Sequence, residues 1–236
     1  MRFTRRELLA GIGLGTLGTY GTALGRGRPR YTHYTYAADG DPDDRRVRVA
    51  WYERYNGVFQ ETQAGTDETG VDETLDPATA PEYVTDATFV TAANGPVVTV
   101  GNVMPGDSGT LVVGLEVTDD DGVVPEPVDV WLQAGVGADT ENSINGPEQA
   151  AGDTSATNGE LDDELVVELW RDGAPLGSCN GRQDFTEQLE GPIVAATPLS
   201  VAFGPASDVG DGDGERVLAS VSPGESRCVA VRWAPP

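Results

Sequence analysis

The apolar positions of this chain come in short runs separated by turn residues, and one run keeps a clean period of two. Val47-Arg-Val-Ala-Trp51 alternates cleanly, which places Val47, Val49 and Trp51 on one face of a strand and predicts that this face is core. Apolar runs return at Ala87-Thr-Phe-Val90, Val97-Val-Thr-Val100, Leu111-Val-Val-Gly-Leu-Glu-Val117, Val128-Asp-Val-Trp-Leu132 and Leu165-Val-Val-Glu-Leu-Trp-Arg171. The stretch from Leu199 to Phe203 and the stretch from Cys228 to Trp233 complete the predicted strands. Gly, Pro, Asn or Asp punctuate them, and Asp172-Gly-Ala-Pro175 reads as a further turn. Short strands joined by turn chemistry predict an all-β fold, an antiparallel β-sandwich.

Helical signals are few. Asp184 opens Phe185-Thr-Glu-Gln-Leu189, the strongest short-helix candidate, and Asn158 is placed to cap a helical turn at Leu161-Asp-Asp-Glu164. Ahead of the first alternating strand, Tyr31-Thr-His-Tyr-Thr-Tyr36 reads as a short strand or a sticky tail, followed by a polar turn. Residues 60–82 are acidic, threonine-rich and broken by Pro77 and Pro81, the pattern of an exposed loop or disordered insertion. No linker divides the remainder, so one sandwich domain is expected over residues 47–236, with residues 26–46 as an N-terminal segment.

One pattern occurs twice. Met104-Pro-Gly-Asp-Ser108 precedes the run at Leu111, and Ser222-Pro-Gly-Glu-Ser226 precedes the run at Cys228. Pro105-Gly106 and Pro223-Gly224 suit the two central positions of a type II turn, because proline fixes φ near −65° and glycine supplies φ > 0. The acid and serine that follow are placed to cap backbone N–H groups. Both copies are expected to lead chain into a strand, with no catalytic role.

The first 25 residues follow another logic. Thr4-Arg5-Arg6-Glu7-Leu8-Leu9 fits a twin-arginine export signal, a glycine-rich apolar run follows, and Ala23-Leu-Gly25 offers small residues at a cleavage site. Residues 1–25 are therefore expected to be a signal peptide and the protein to be secreted, with a retained signal anchor as the rival reading. The chain has 15 basic residues, every one arginine, against 39 acidic ones. Cleavage would remove Arg2, Arg5, Arg6 and Glu7, leaving 12 basic and 38 acidic residues and a net charge of −26. Such a shell repels itself at low salt and is screened at molar salt, where the Debye length falls to ~3 Å. With lysine absent, this is the composition of a protein from an extremely halophilic archaeon. Nucleic acid is an unsuitable partner, since the mature chain has no clustered basic stripe to neutralise phosphates.

The available chemistry is equally restrictive. His33 is the only histidine, expected near the mature N-terminus and outside the strand array. That argues against a zinc hydrolase needing two histidines and against a Ser-His-Asp triad, so no catalytic residue is assigned. Cys179 and Cys228 are expected to pair, closing a loop of roughly 50 residues for about 4 kcal/mol in the chain-entropy model. Calcium is the one candidate ion: Asp208, Asp211, Asp213 and Glu215 are expected in a glycine-rich loop that offers hard oxygen ligands. In so acidic a chain, solvated surface carboxylates are the competing reading of the same residues.

Several motifs in order resemble one family. They are the Arg-Arg start with Gly11-Ile-Gly-Leu-Gly, Met104-Pro-Gly-Asp-Ser-Gly109, Trp131-Leu-Gln133, Glu141-Asn to Asn145-Gly-Pro-Glu148, Gly152-Asp-Thr to Asn158-Gly-Glu-Leu-Asp162, Leu169-Trp170, and Pro223-Gly-Glu-Ser-Arg-Cys228 to Trp233. Together they resemble the haloarchaeal TasA/camelysin-like secreted proteins, whose signals are of the SipW-dependent type. The resemblance implies a jelly-roll-like β-sandwich that assembles into extracellular fibres by donor-strand exchange. Some members are labelled metalloproteases, a label that one histidine does not support. Relatives continue with a further strand beyond the segment that here ends at Pro236, and a sandwich lacking that strand would leave an unpaired edge. Residues 31–36, with Tyr31, Tyr34 and Tyr36, are the candidate donor strand for such an edge.

The expected function is that of a non-enzymatic structural subunit of an extracellular matrix or filament, self-associating and in contact with the cell envelope. The alternatives are a cell-surface module binding a cation or glycan, and a secreted hydrolase.

Overall fold

A computed structural model of the chain describes residues 2–4, 8–9, 31–36, 47–60, 88–89, 103–117, 127–136, 150, 159, 161–173, 179–210 and 214–236. These residues form a predominantly antiparallel β-sandwich. The strands, in chain order, are β1 (Arg2–Thr4), β2 (Leu8–Leu9), β3 (His33–Tyr36), β4 (Val47–Tyr55), β5 (Val58–Gln60), β6 (Thr88–Phe89), β7 (Gly109–Val117), β8 (Val128–Gly135), β9 (Val166–Arg171), β10 (Val194–Pro198), β11 (Glu215–Val221) and β12 (Ser226–Ala234). Short helices are α1 (Leu161–Glu164), α2 (Phe185–Glu190) and α3 (Leu199–Ala202).

The large sheet runs β10-β9-β12-β7-β4-β3-β6, with β5 hairpinned onto β4; among the described residues only the β3 and β6 pair is parallel. Asn56 and Gly57, at φ 49° and 77°, make the β4–β5 turn. Two consecutive positive φ values match the twist of the strands they join, which is why an Asn-Gly pair stands there. The small sheet is β11 against β8, with β1 and β2 along the opposite edge of β8.

Alternation along the strands builds the core between the sheets. Val47, Val49 and Trp51 of β4 meet Leu111, Val113, Leu115 and Val117 of β7 and Val229, Val231 and Trp233 of β12, and Val128, Val130, Leu132 and Ala134 of β8 close the layer from the other side. Trp51 is buried in this core, as its strand pattern predicts.

The large sheet is also buried on its outer face, which alternation alone does not reveal. There Ala50 and Tyr52, Val112, Trp170, Cys228 and Ala230 form a second cluster with Tyr31 and Tyr34. β7 is accordingly buried along almost all its length, although its residues alternate between faces. A disulfide between Cys179 and Cys228, Cα atoms 5.7 Å apart, ties the segment before α2 to this face.

Three expectations need correction, and one open choice is decided. The 199–203 stretch is helical: α3 follows directly on Pro198, Phe203 N–H donates to the Leu199 carbonyl (3.0 Å), and Leu199 N–H donates to the Leu165 carbonyl (2.7 Å). Of the two readings of residues 31–36 the short strand holds: β3 pairs with β4 from His33 opposite Trp51 to Tyr36 opposite Arg48. His33 is therefore inside the strand array, buried and stacked on Trp51 at 5.8 Å between centroids. Glu215 is the first residue of β11, opposite Leu132, and not part of a loop. Val97 to Val100 and Asn158 lie outside the described residues.

Candidate functional site: a sheet edge and the outer face

The two Pro-Gly turns form as their residues dictate. Gly106 and Gly224 take φ of 95° and 69°, Asp107 N–H donates to the Met104 carbonyl (2.9 Å), and Glu225 N–H donates to that of Ser222 (2.8 Å). In each, the acid reaches back to the residue before the proline: Met104 N–H donates to Asp107 Oδ2 (2.8 Å) and Ser222 N–H to Glu225 Oε2 (3.0 Å). Pro105 and Pro223 thus sit at opposite ends of the β7–β12 pair, which runs from Ser226 opposite Glu116 to Trp233 opposite Gly109. Asp107 does more than cap. It also accepts from the Tyr55 hydroxyl (2.6 Å) and Asn56 Nδ2 (2.7 Å), and these bonds, Tyr55 first, hold its carboxyl below the usual range. The turn is a clamp on the β4–β5 hairpin.

The disulfide lies beside a pair of acids that sequence reasoning missed. Asp172, at the end of β9, and Glu187, on α2, are both buried. Asp172 Oδ2 accepts from Gly181 N–H (2.6 Å), and Glu187 Oε2 accepts from Asp184 N–H (2.7 Å) at the start of α2. The remaining oxygens, Asp172 Oδ1 and Glu187 Oε1, are buried with no other partner, and the two carboxyls lie against each other. Burial, reinforced by the neighbouring Glu187, pushes Asp172 up to about 7, and burial likewise raises Glu187. The pair fastens α2 to the sheet. Among so many acids, no spacing marks these two out.

The outer face has two further polar features. Arg48 and Glu116, opposite one another on β4 and β7, make a buried ion pair at 2.6 Å. Along the same face Glu168, Arg232, Thr110 and Arg54 stand in one cross-strand row over β9, β12, β7 and β4. They line a groove of about 400 Å3 with Arg182 and the amides of Asn180, Gln183 and Gln188.

The edge of β8 bears most directly on assembly. One side of β8 pairs with β11, from Glu215 opposite Leu132 to Val221 opposite Val128. Among the described residues, the other side meets only β1, opposite Gln133, Ala134 and Gly135, and β2, opposite Asp129 and Val130. Inward residues of β8 are core, while Trp131 on the outward side is 36% exposed.

Of the candidate calcium ligands, Asp208 lies in the turns after α3 and Glu215 opens β11, while Asp211 and Asp213 lie outside the described residues. Among the described residues no group of three or more His, Cys, Asp or Glu side chains is placed to hold a metal ion. Arg5, Arg6, Ala23 and Gly25 also lie outside the described residues. Comparison of the chain with protein-family models, curated proteins and solved structures finds no match.

Proposed function

We propose that this protein is a non-enzymatic extracellular structural subunit, exported from a halophilic archaeon and assembled by strand addition at the edge of β8. The observation that carries the reading is what occupies that edge. Its strand-pairing groups are met by residues 2–4 and 8–9, which belong to the segment whose sequence reads as an export signal. Once the signal is removed, an eight-residue strand with an apolar inner face has one edge that no other described residue pairs with, and such an edge pairs readily with another extended chain. An extended segment of a second copy is the partner whose chemistry fits, because it can repeat the backbone pairing the chain makes with itself. The acidic shell supports assembly in brine, where repulsion between copies is screened to within ~3 Å at molar salt.

The resemblance of the Pro-Gly turn and tryptophan motifs to TasA/camelysin-like fibre proteins points the same way. β3 is a less suitable donor than its sequence suggests, because Tyr31 and Tyr34 are buried in the outer-face cluster of their own fold. The test compares the full chain with a form lacking residues 1–25, by electron microscopy and sedimentation in molar KCl. The shortened form is expected to form filaments or higher oligomers and the full chain to remain monomeric. A monomeric shortened form would overturn the reading.

A further inference from the structure

In a chain that carries a large excess of negative charge, an arginine without an acidic partner is unexpected. Arg48 pairs with Glu116, Arg216 with Asp129 and Arg227 with Glu225, and Arg171 Nε donates to the Val217 carbonyl at 2.7 Å. Arg54, Arg182 and Arg232 have no carboxylate partner among the described residues, and all three line the outer-face groove. Arg54 Nε is buried without a hydrogen-bond acceptor, and so is the indole Nε1 of Trp170, a residue 1% exposed that forms part of the groove wall. Glu168, the acid that lines the groove, accepts from Gln183 Nε2 at 3.3 Å.

The groove therefore presents the guanidinium groups of Arg54, Arg182 and Arg232 without carboxylate partners among the described residues, while the amides beside them already donate, Asn180 Nδ2 to Asp184, Gln183 Nε2 to Glu168 and Gln188 Nε2 to the Gln183 carbonyl. Donors of this kind select an oxoanion, since guanidinium binds carboxylate or sulfate through two parallel N–H···O bonds. A space of about 400 Å3 exceeds what a lone carboxylate or sulfate fills, so the anion should carry a polar body. Hydroxyls on that body would meet Thr110, Gln188 and the other amides.

We propose that this groove binds an acidic saccharide, a sugar bearing a carboxylate or sulfate group, with the acid held by Arg54, Arg182 and Arg232. The site lies on the outer face of the large sheet and does not include the β8 edge, so it is independent of assembly. Short-range contacts of this kind persist in brine, where long-range repulsion of anions by the acidic shell is screened.

The test is calorimetric titration of the protein lacking residues 1–25, in about 2 M KCl to keep the shell screened. The probes are a uronic acid disaccharide, a sulfated disaccharide, their neutral parent, free acetate, inorganic sulfate and a glutamate-rich peptide. One or both acidic disaccharides should bind, with the neutral parent, free anions and peptide at least about tenfold weaker, the loss expected when guanidinium bonds or body contacts are missing. Arg182→Gln and Arg232→Gln alter exposed side chains and should each weaken binding about tenfold, whereas Arg216→Gln, elsewhere on the molecule, should not. Absence of binding by either acidic disaccharide overturns the proposal. So does equal or tighter binding of the free anions or of the peptide, or unchanged affinity in both groove variants whose circular dichroism is native.

Discussion

Gly114 shows how one atom decides the outer face. It lies on β7 opposite Cys228 and Ala50, and a Cβ there would collide with the Tyr31 hydroxyl, which sits 3.6 Å from Cys228 Sγ. Burial pushes the Tyr31 hydroxyl above its ordinary pKa, so it stays neutral over the disulfide. Gly114→Ala forces Tyr31 outward, and we expect a loss of about 1 to 3 kcal/mol, the usual cost of overpacking, measured by chemical denaturation in high salt. An unchanged midpoint would mean that Tyr31 does not pack where the structure has it. Nothing in Leu111-Val-Val-Gly-Leu-Glu-Val117 announces this contact, because its partner is 83 residues away in the chain. The disulfide was legible, since two cysteines in a chain with an export-like start have few alternatives. Asp172, Glu187 and the unpaired arginines were not, since each matters through a neighbour that only folding supplies.

Among the elements, α2 is held by chemistry that depends on pH. Asp172 has its carboxyl pushed up to about 7 in the fold, against 3.8 for an unperturbed group. Below about pH 4 both states are protonated and the acid adds no pH dependence. Between about pH 4 and 7 the unfolded chain has lost a proton that the fold keeps, so stability falls as pH rises, then levels off above 7. Raised Glu187 acts in the same direction. Asp172→Asn should therefore flatten the decline in stability across that window, measured as the denaturation midpoint at constant high salt; a slope equal to that of the parent would contradict the upward shift of the buried Asp172 carboxyl. The same scale shows which elements a reader of the sequence can find. Apolar runs bounded by turn residues mark β4, β7, β8, β9 and β12, with clean alternation at the start of β4. β11 escapes because its register shifts twice against β8, between Arg216 and Leu218 and again before Val221, with Ser220 at φ 51°, so its burial never settles into a period of two. β10 escapes because it is an edge strand whose side chains are only partly buried. Residues 199–203 have an apolar spacing that suits either a strand or one helical turn, and packing of Leu199 and Ala202 decides for the helix.

At the scale of the whole molecule, charge and strand edges together set the conditions for the proposed work. A shell of this sign and density should make the fold salt-dependent. The denaturation midpoint should rise steadily between about 0.1 M and 1 M KCl, as the Debye length shrinks from ~10 Å to ~3 Å. A midpoint that falls over this range would remove the electrostatic part of the account. The central claim concerns β8, and hydrogen exchange reads its edge directly. In protein lacking residues 1–25, held in high salt, amides within Val128–Gly135 should become protected as concentration drives assembly, while those of the β4–β5 hairpin stay unchanged. Concentration-independent exchange along β8, or protection confined to another edge, would contradict assembly through this strand.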